Sequence, residues 1–239
     1  DASGALQANE HIGIEGSSVT VAGSVSASNG LQGGEITIVG DHITLTDTAR
    51  LTASGANGGG QILVGGSWQN SNPSIQQALR TDIAQGARLD ASATGLGDGG
   101  MIVAWSDVHN PGSYTRAYGT FLATAGRLGG NGGRVETSGY GLDVQGIQVS
   151  TSSVTGKAGI WLLDPTNIVI GSTTSTLPGS SSNNVTTYAD VSASTTNTST
   201  AYISASTLQA ALGQNSVVVT TASSGDGAGN ITFDAGSSI

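Results

Sequence analysis

The sequence has no cysteine. That excludes a disulfide scaffold and thiolate metal sites, and it suits a chain that crosses an oxidising compartment without mispairing. Charge is also scarce, at 10% of residues where an ordinary globular protein carries about 25%. No apolar run approaches the roughly 18 residues of a membrane span. Basic residues are missing from both ends: all seven lie between Arg50 and Lys157, and the net charge is −9. This balance argues against a nucleic-acid or anionic-lipid partner. The segment from Asp1 is already strand-like and does not read as a signal peptide.

What the chain does have is glycine, 38 residues of it, and 36% hydrophobic residues concentrated in short Val, Ile and Leu runs. That is enough apolar surface to bury a thin core. A turn-then-strand unit recurs as GGEITIVG from Gly33, GGQILVGG from Gly59, GGMIVAWS from Gly99, GGRVETSG from Gly132 and AGIWLLDP from Ala158. Looser copies start at Gly4 and Ala228. The second small residue of each unit, at Gly34, Gly60, Gly100, Gly133 and Gly159, marks a repeat with insertions in the length range of solenoid units. Within one unit, EITIV, HITLT and RLTAS alternate branched apolar with polar residues between Gly, Asp and Asn turns. Three strands and three turns make one coil. Stacked coils give a right-handed parallel β-helix, all-β, in a single domain over 1–239. Glycines at the corners provide positive φ or allow close approach of stacked backbones. An antiparallel β-sandwich is the alternative, but its two-residue hairpin signals are sparse.

Two insertions are expected, over about 67–85 and 172–213. In the first, Pro73 and apolar residues at 75, 78, 79 and 83 suggest a short helix. In the second, a Ser/Thr/Asn-rich stretch reads as a lateral loop or loose coil. It leads to SASTLQAALG, a helix with Ser206 and Gln209 as a capping box and Gly213 as its stop.

AGIWLLDPTNIVI and the later ISASTLQAALGQNSVVVTTASSGDGAGNITF resemble the filamentous haemagglutinin-like exoproteins of two-partner secretion systems in Gram-negative bacteria. GGEITIVGDHITLTDTARLTASG is similar to that family's shaft. The resemblance covers nearly the whole chain. It implies a secreted right-handed β-helix at the cell surface, exported through an outer-membrane transporter and working as an adhesin; surface or matrix glycans are candidate partners for aromatic residues in its insertions. The family's NPNG and NPNL motifs are represented only by Asn72-Pro73-Ser74 and Asn110-Pro111-Gly112. The chain therefore reads as a shaft or carboxyl-terminal portion.

Apparent chemical motifs mostly have structural readings. GLGDGG, from Gly95 to Gly100, satisfies a dinucleotide fingerprint but opens a strand, whereas the fingerprint opens a helix. GGNGGR, residues 129–134, places Arg134 where a calcium-binding β-roll needs an acid. Asp107 and His109, with Arg116 nearby, would be the catalytic group of a polysaccharide lyase or hydrolase, the alternative function. Asp164 is expected to cap a turn before Pro165. Trp161 is expected in the core or under a loop. Trp68, Trp105, Tyr114, Tyr118 and Tyr140 either stack on sugars or pack insertions against the shaft. His11, His42 and His109 lack metal-ligand spacing. Asn184, Asn197 and Asn230 open glycosylation sequons.

The expected function is accordingly a non-catalytic extracellular adhesin or fibre-forming module with no cofactor and no metal. No ligand-binding residue is assigned. Neither end carries a recognisable cap, so head-to-tail self-association through open strand edges is a further expectation.

Overall fold

The computed structural model describes residues 4–171, 200–221, 229–235 and 237–239. The chain visits three parallel sheets in rotation. The first rung is β1 (Ala5–Ala8), β2 (His11–Glu15) and β3 (Ser18–Val21), and the second is β4 (Ser24–Ala27), β5 (Glu35–Val39) and β6 (His42–Leu45). The third is β7 (Arg50–Thr52), β8 (Gln61–Val64) and β9 (Arg80–Ile83), and the fourth is β10 (Arg88–Asp90), β11 (Met101–Trp105) and β12 (Tyr114–Ala117). The fifth is β13 (Thr120–Leu122), β14 (Arg134–Gly139) and β15 (Gly141–Asp143), followed by β16 (Gln148–Ser150), β17 (Ile160–Pro165) and β18 (Asn167–Ile170). In each rung the first strand joins the first sheet, the second strand the second sheet and the third strand the third sheet. Every pairing between these strands is parallel, which overturns the antiparallel sandwich.

The repeat glycines set the register. Glu35, Gln61, Met101, Arg134 and Ile160, each one residue after a marker glycine, face one another along the second sheet. A Cβ on Gly60 would run into the carbonyl oxygen of Gly34, one on Gly100 into that of Gly60, and so on through Gly133 and Gly159. The glycine before each is equally confined: a Cβ on Gly59 would meet the carbonyl of Ala91, and one on Gly99 that of Ala123. None of these residues has a left-handed φ. Of the two expected reasons for corner glycines, close approach is the one that operates here.

With register fixed, the period-2 pattern makes inward columns. Leu51, Leu89, Phe121 and Val149 stack on the first sheet, and Ile12, Ile36, Ile62, Ile102, Val135 and Trp161 on the second. All belong to one buried cluster that draws on the three sheets. Trp161 is the bulkiest member of its column, and its indole N–H donates to Thr137 Oγ1 at 3.1 Å from the strand below. Inward hydroxyls on the third sheet are also paired, Thr81 donating to the Trp105 carbonyl and Thr115 to that of Ser138.

After β18 the rotation shifts. Residues 172–199, which hold the Ser/Thr-rich stretch with Asn184 and Asn197, lie outside the described residues. Among the described residues, β19 (Thr200–Ile203) follows and enters the third sheet between β15 and β18. Helix α1 (Ala205–Leu212) follows, then β20 (Ser216–Val219) on the second sheet and β21 (Ile231–Phe233) on the third. The helix is the expected one, but its N-cap is Ser204, whose hydroxyl accepts from Thr207 N–H. Ser206 already lies inside the helix. Leu208 and Ala211 are buried, and so is Asn215, just beyond the helix, which imitates a strand for the edge of the first sheet. Its Oδ1 accepts from Thr151 N–H at 2.6 Å while its Nδ2 donates to the Val149 carbonyl at 2.9 Å. The expectation of two uncapped ends is therefore corrected at this edge of the first sheet.

The helix expected within 70–86 is absent. A 3-10 turn spans Trp68–Asn70, and Arg80–Ile83 is a strand paired with both β6 and β12. Two complete ladders outweigh the local helical spacing, because tertiary pairing decides among marginal propensities.

Gly100→Ala is expected to lower stability by about 2 kcal/mol or more, because backbone on both sides must shift to admit one methyl. Gly30→Ala meets only the cost of its left-handed φ, since no atom lies within contact of the added Cβ. Denaturant unfolding of the two variants checks this: equal losses would show that the glycine stack is not a packing constraint.

Candidate functional site: a cleft under the first insertion

Beyond β8 the chain leaves the rung and folds back over the outer face of the second sheet. The sequence of the sheet shows why. EITIV alternates, but Ile62–Val64 and MIVAW are continuous apolar runs, so Leu63, Met101, Val103 and Trp105 either pack inward or point out with nothing polar between them. In the fold Leu63, Met101, Val103, Trp105 and Val108 form a second apolar cluster, and Trp68 and Ile75 of the insertion cover it. The Trp105 indole N–H donates to Gln77 Oε1 at 2.9 Å, closing the cover.

A cleft of about 380 Å³ opens along the insertion's edge. Its floor carries Glu35, Gln61, Met101 and Arg134, one residue per rung in register, over a length of about 14 Å at the usual strand spacing. Its wall is Trp68, Ser71, Asn72 and Ile75. The Arg134 guanidinium lies 4.6 Å from the centre of the Trp68 ring. His11 extends the column beyond Glu35, with Nδ1 3.5 Å from its carboxylate.

Beside the cleft, the insertion is anchored on a buried acid. Glu136 projects from the outer face of β14 and is wholly covered. Its Oε2 accepts the Gln69 backbone N–H at 2.8 Å, and Oε1 accepts the Ser138 hydroxyl at 2.9 Å. Gln69 and Asn70 both take left-handed φ values, 47° and 49°, a conformation that costs roughly 1 to 2 kcal/mol per non-glycine residue. The bond to a carboxylate offsets part of that strain. Asp164, buried on β17, occupies the same face two residues along from the strand partner of Glu136. Burial pushes the Glu136 carboxyl up to about 7, with Asp164 adding to the rise and Gln69 N–H, the Ser138 hydroxyl and Arg134 opposing it.

The residues singled out in the sequence fall elsewhere. The Asp107 carboxylate accepts the His109 backbone N–H, an Asx turn, and its carbonyl accepts the Ser113 hydroxyl. Arg116 points away from that turn into an ion pair with Asp82 at 3.2 Å, with Tyr114 stacked on its guanidinium. The three do not converge. Asp164 lies within strand β17 and the chain bends at Thr166, so the expected turn cap before Pro165 is corrected. Trp161 is in the core and Trp105 under the insertion, as packing predicts, while Tyr118 donates to Asp143 at 2.8 Å. Of the aromatic group only Trp68 sits in the insertion and faces a cleft. Gln61, Glu35 and Glu136 carry no signal of their own in the sequence, and Arg134 enters there only as the residue that spoils a calcium-binding β-roll repeat. GLGDGG forms a corner leading into β11, and Asn131 of GGNGGR accepts Lys157 N–H through its side chain. Among the described residues no group of three or more His, Asp or Glu gathers to hold a metal.

No family model matches the chain, and no curated protein matches it.

Because the folded-state value for Glu136 lies above its unfolded value, its contribution to stability is complete below about pH 4.5 and is lost as pH rises to 7. The shift corresponds to about 3 kcal/mol. Burial also raises the Asp82 carboxyl despite Arg116, which adds a slope of the same sign. Urea unfolding at pH 4.5 and pH 8 is expected to show the chain more stable at the lower pH, with Glu136→Gln removing most of the difference. A wild type equally stable at both values would remove the buried acid as its source.

Proposed function

We propose that the chain is a right-handed parallel β-helix that forms part of the shaft of a secreted, filamentous haemagglutinin-like adhesin, and that the Trp68 cleft is its adhesive site. The observation that carries this reading is the cleft itself, in which an aromatic ring, an amide, a carboxylate and a guanidinium line one concavity of the outer wall. Surface or matrix glycans are the proposed ligands, since hydroxyl-rich rings need both donors and acceptors beside an apolar wall. The family resemblance of WLLDP and of LQAAL through GNITF supports secretion through an outer-membrane transporter. Stacked rungs with local contacts suit folding after export. In a fibre, the edge strands β1, β2 and β3 would pair with a further rung supplied by the same chain or by a second copy.

A polysaccharide-cleaving activity is the second reading, and it draws on the Glu136 and Asp164 carboxylates in place of Asp107. Both are covered, and the insertion lies directly on Glu136, so a substrate reaches that acid only if the insertion lifts.

Beads coated with the protein are expected to be retained on glycan-bearing cell or matrix surfaces, and Trp68→Ala or Arg134→Ala to reduce retention about tenfold, the order expected for losing one central contact. Circular dichroism monitors the fold of each variant. Retention equal to bare beads would sink the adhesive reading, and release of reducing ends from a polysaccharide, lost in Glu136→Gln, would replace it with the enzymatic one.

A further inference from the structure

The corner between the first and second sheets carries an unexplained apolar stripe. Leu31, Leu96, Leu128 and Val154 occupy this corner in the second, fourth, fifth and sixth rungs and are 61%, 62%, 67% and 81% exposed. Ala56 takes the place in the third rung. The corners stack: Asn57 N–H donates to the Leu31 carbonyl at 2.7 Å, Gly95 N–H to that of Ala56 at 3.0 Å, and Leu128 N–H to that of Gly95 at 2.9 Å. Leu96 bridges directly to Gly129. Successive corners are therefore about 4.8 Å apart, and the exposed side chains climb this edge over roughly 19 Å, shifted along it by one or two residues from rung to rung. Soluble chains seldom expose aliphatic residues in such a row without a partner.

We infer that this stripe is a lateral interface with a second copy of the same chain, lying antiparallel about a two-fold axis between Leu96 and Leu128. Three observations select this occupant. A surface with the same rung spacing keeps every contact in step along the row, which a second copy supplies automatically. Exposed charges flank the stripe with opposite signs on neighbouring rungs, Asp98 beside Leu96 and Arg127 beside Leu128, and Arg127 has no ion pair among the described residues. The two-fold axis sets each Asp98 against the other copy's Arg127, Leu96 against Leu128, and the prominent Val154 over the small Ala56. A parallel alignment would instead oppose like charges. Such pairing goes beyond the adhesive reading and does not depend on it: it would bundle shafts side by side while leaving the Trp68 cleft to its ligand.

The absence of cysteine makes the test direct. Leu96→Cys and Leu128→Cys proteins are prepared separately, mixed, oxidised mildly and resolved by non-reducing electrophoresis, with sedimentation velocity on the unmodified protein. The expected results are a wild-type dimer, a mixed Leu96→Cys/Leu128→Cys disulfide at least fivefold more abundant than either homodisulfide, and a dimer weakened by Asp98→Arg and restored by adding Arg127→Asp. These are surface positions, and circular dichroism verifies folding of each variant. A monomer at every concentration tested overturns the interface, and dominant homodisulfides overturn its antiparallel sense.

Discussion

At the corner that leads into the second sheet, the carbonyl oxygen of one rung occupies the space where a side chain on the next would begin. This close approach of backbones holds the rest of the structure in place. It requires two adjacent small residues at the same point of each rung from the second onward, which the glycine pairs from Gly33 to Gly133 supply and Ala158-Gly159 supplies once more. Because the side-chain period of a strand is two, a slip of one residue at the corner would turn every inward column outward. The glycine stack sets register by exclusion, and the isoleucine and leucine columns then gain their burial from it.

Once the inner face is committed, the outer face is free to differ from rung to rung, and function is built from those differences. In the second rung the outward residues of β5 are Glu35, Thr37 and Val39, a solvated pattern. In the third and fourth they become Leu63, Met101 and Val103, which demand a cover. The insertion after β8 meets that demand, and its edge against the polar column of the floor creates the cleft. The strained pair Gln69 and Asn70 is held down through one backbone N–H on a carboxylate that is itself costly to bury. A cover fixed by two opposing costs is where local opening is expected first, because the energy that closes it is small compared with that of the ladders beneath.

Most of the fold was legible because its cause is local and repeats: the GG pairs, the alternation in EITIV and HITLT and the turn residues each report on one rung. The 40-residue interval between Gly60 and Gly100 located the insertion. Its internal structure departs from the expected helix because Ile75, Ala78, Leu79 and Ile83 have helical spacing yet serve two different environments, Ile75 on the outer cluster and Ile83 in the core. Spacing cannot distinguish one helical face from two separate surfaces. The entry of β19 between β15 and β18 has no signal in the sequence either, since TAYI would pair equally well at any rung. The cleft is half visible: Trp68 stands out as an aromatic in an insertion, while nothing joins Arg134 and Gln61 to it, because outward polar residues on a strand look alike until the register lines them up.

The shortage of charge follows from the same stacking. In-register parallel strands place equivalent side chains about 4.8 Å apart, and two like charges at that distance repel by about 1 kcal/mol even in water. A repeated charge would incur this at every rung. Where charges do stack, the chain compensates in one of two ways. Asp82, Arg116 and Asp143 alternate in sign up the third sheet. Arg50 and Arg88 are direct neighbours of the same sign, but Arg88 pairs with Asp90 at 2.8 Å and Arg50 donates to the carbonyls of Asp47, Ala49 and Gly86. Hydroxyl and amide side chains carry no such repulsion when repeated, so Ser, Thr, Gln and Asn recur at many of the remaining outward places, as at Ser24 and Ser26, Thr37 and Thr44. The low charge that marks this composition is thus a consequence of building a protein from copies of itself stacked in register.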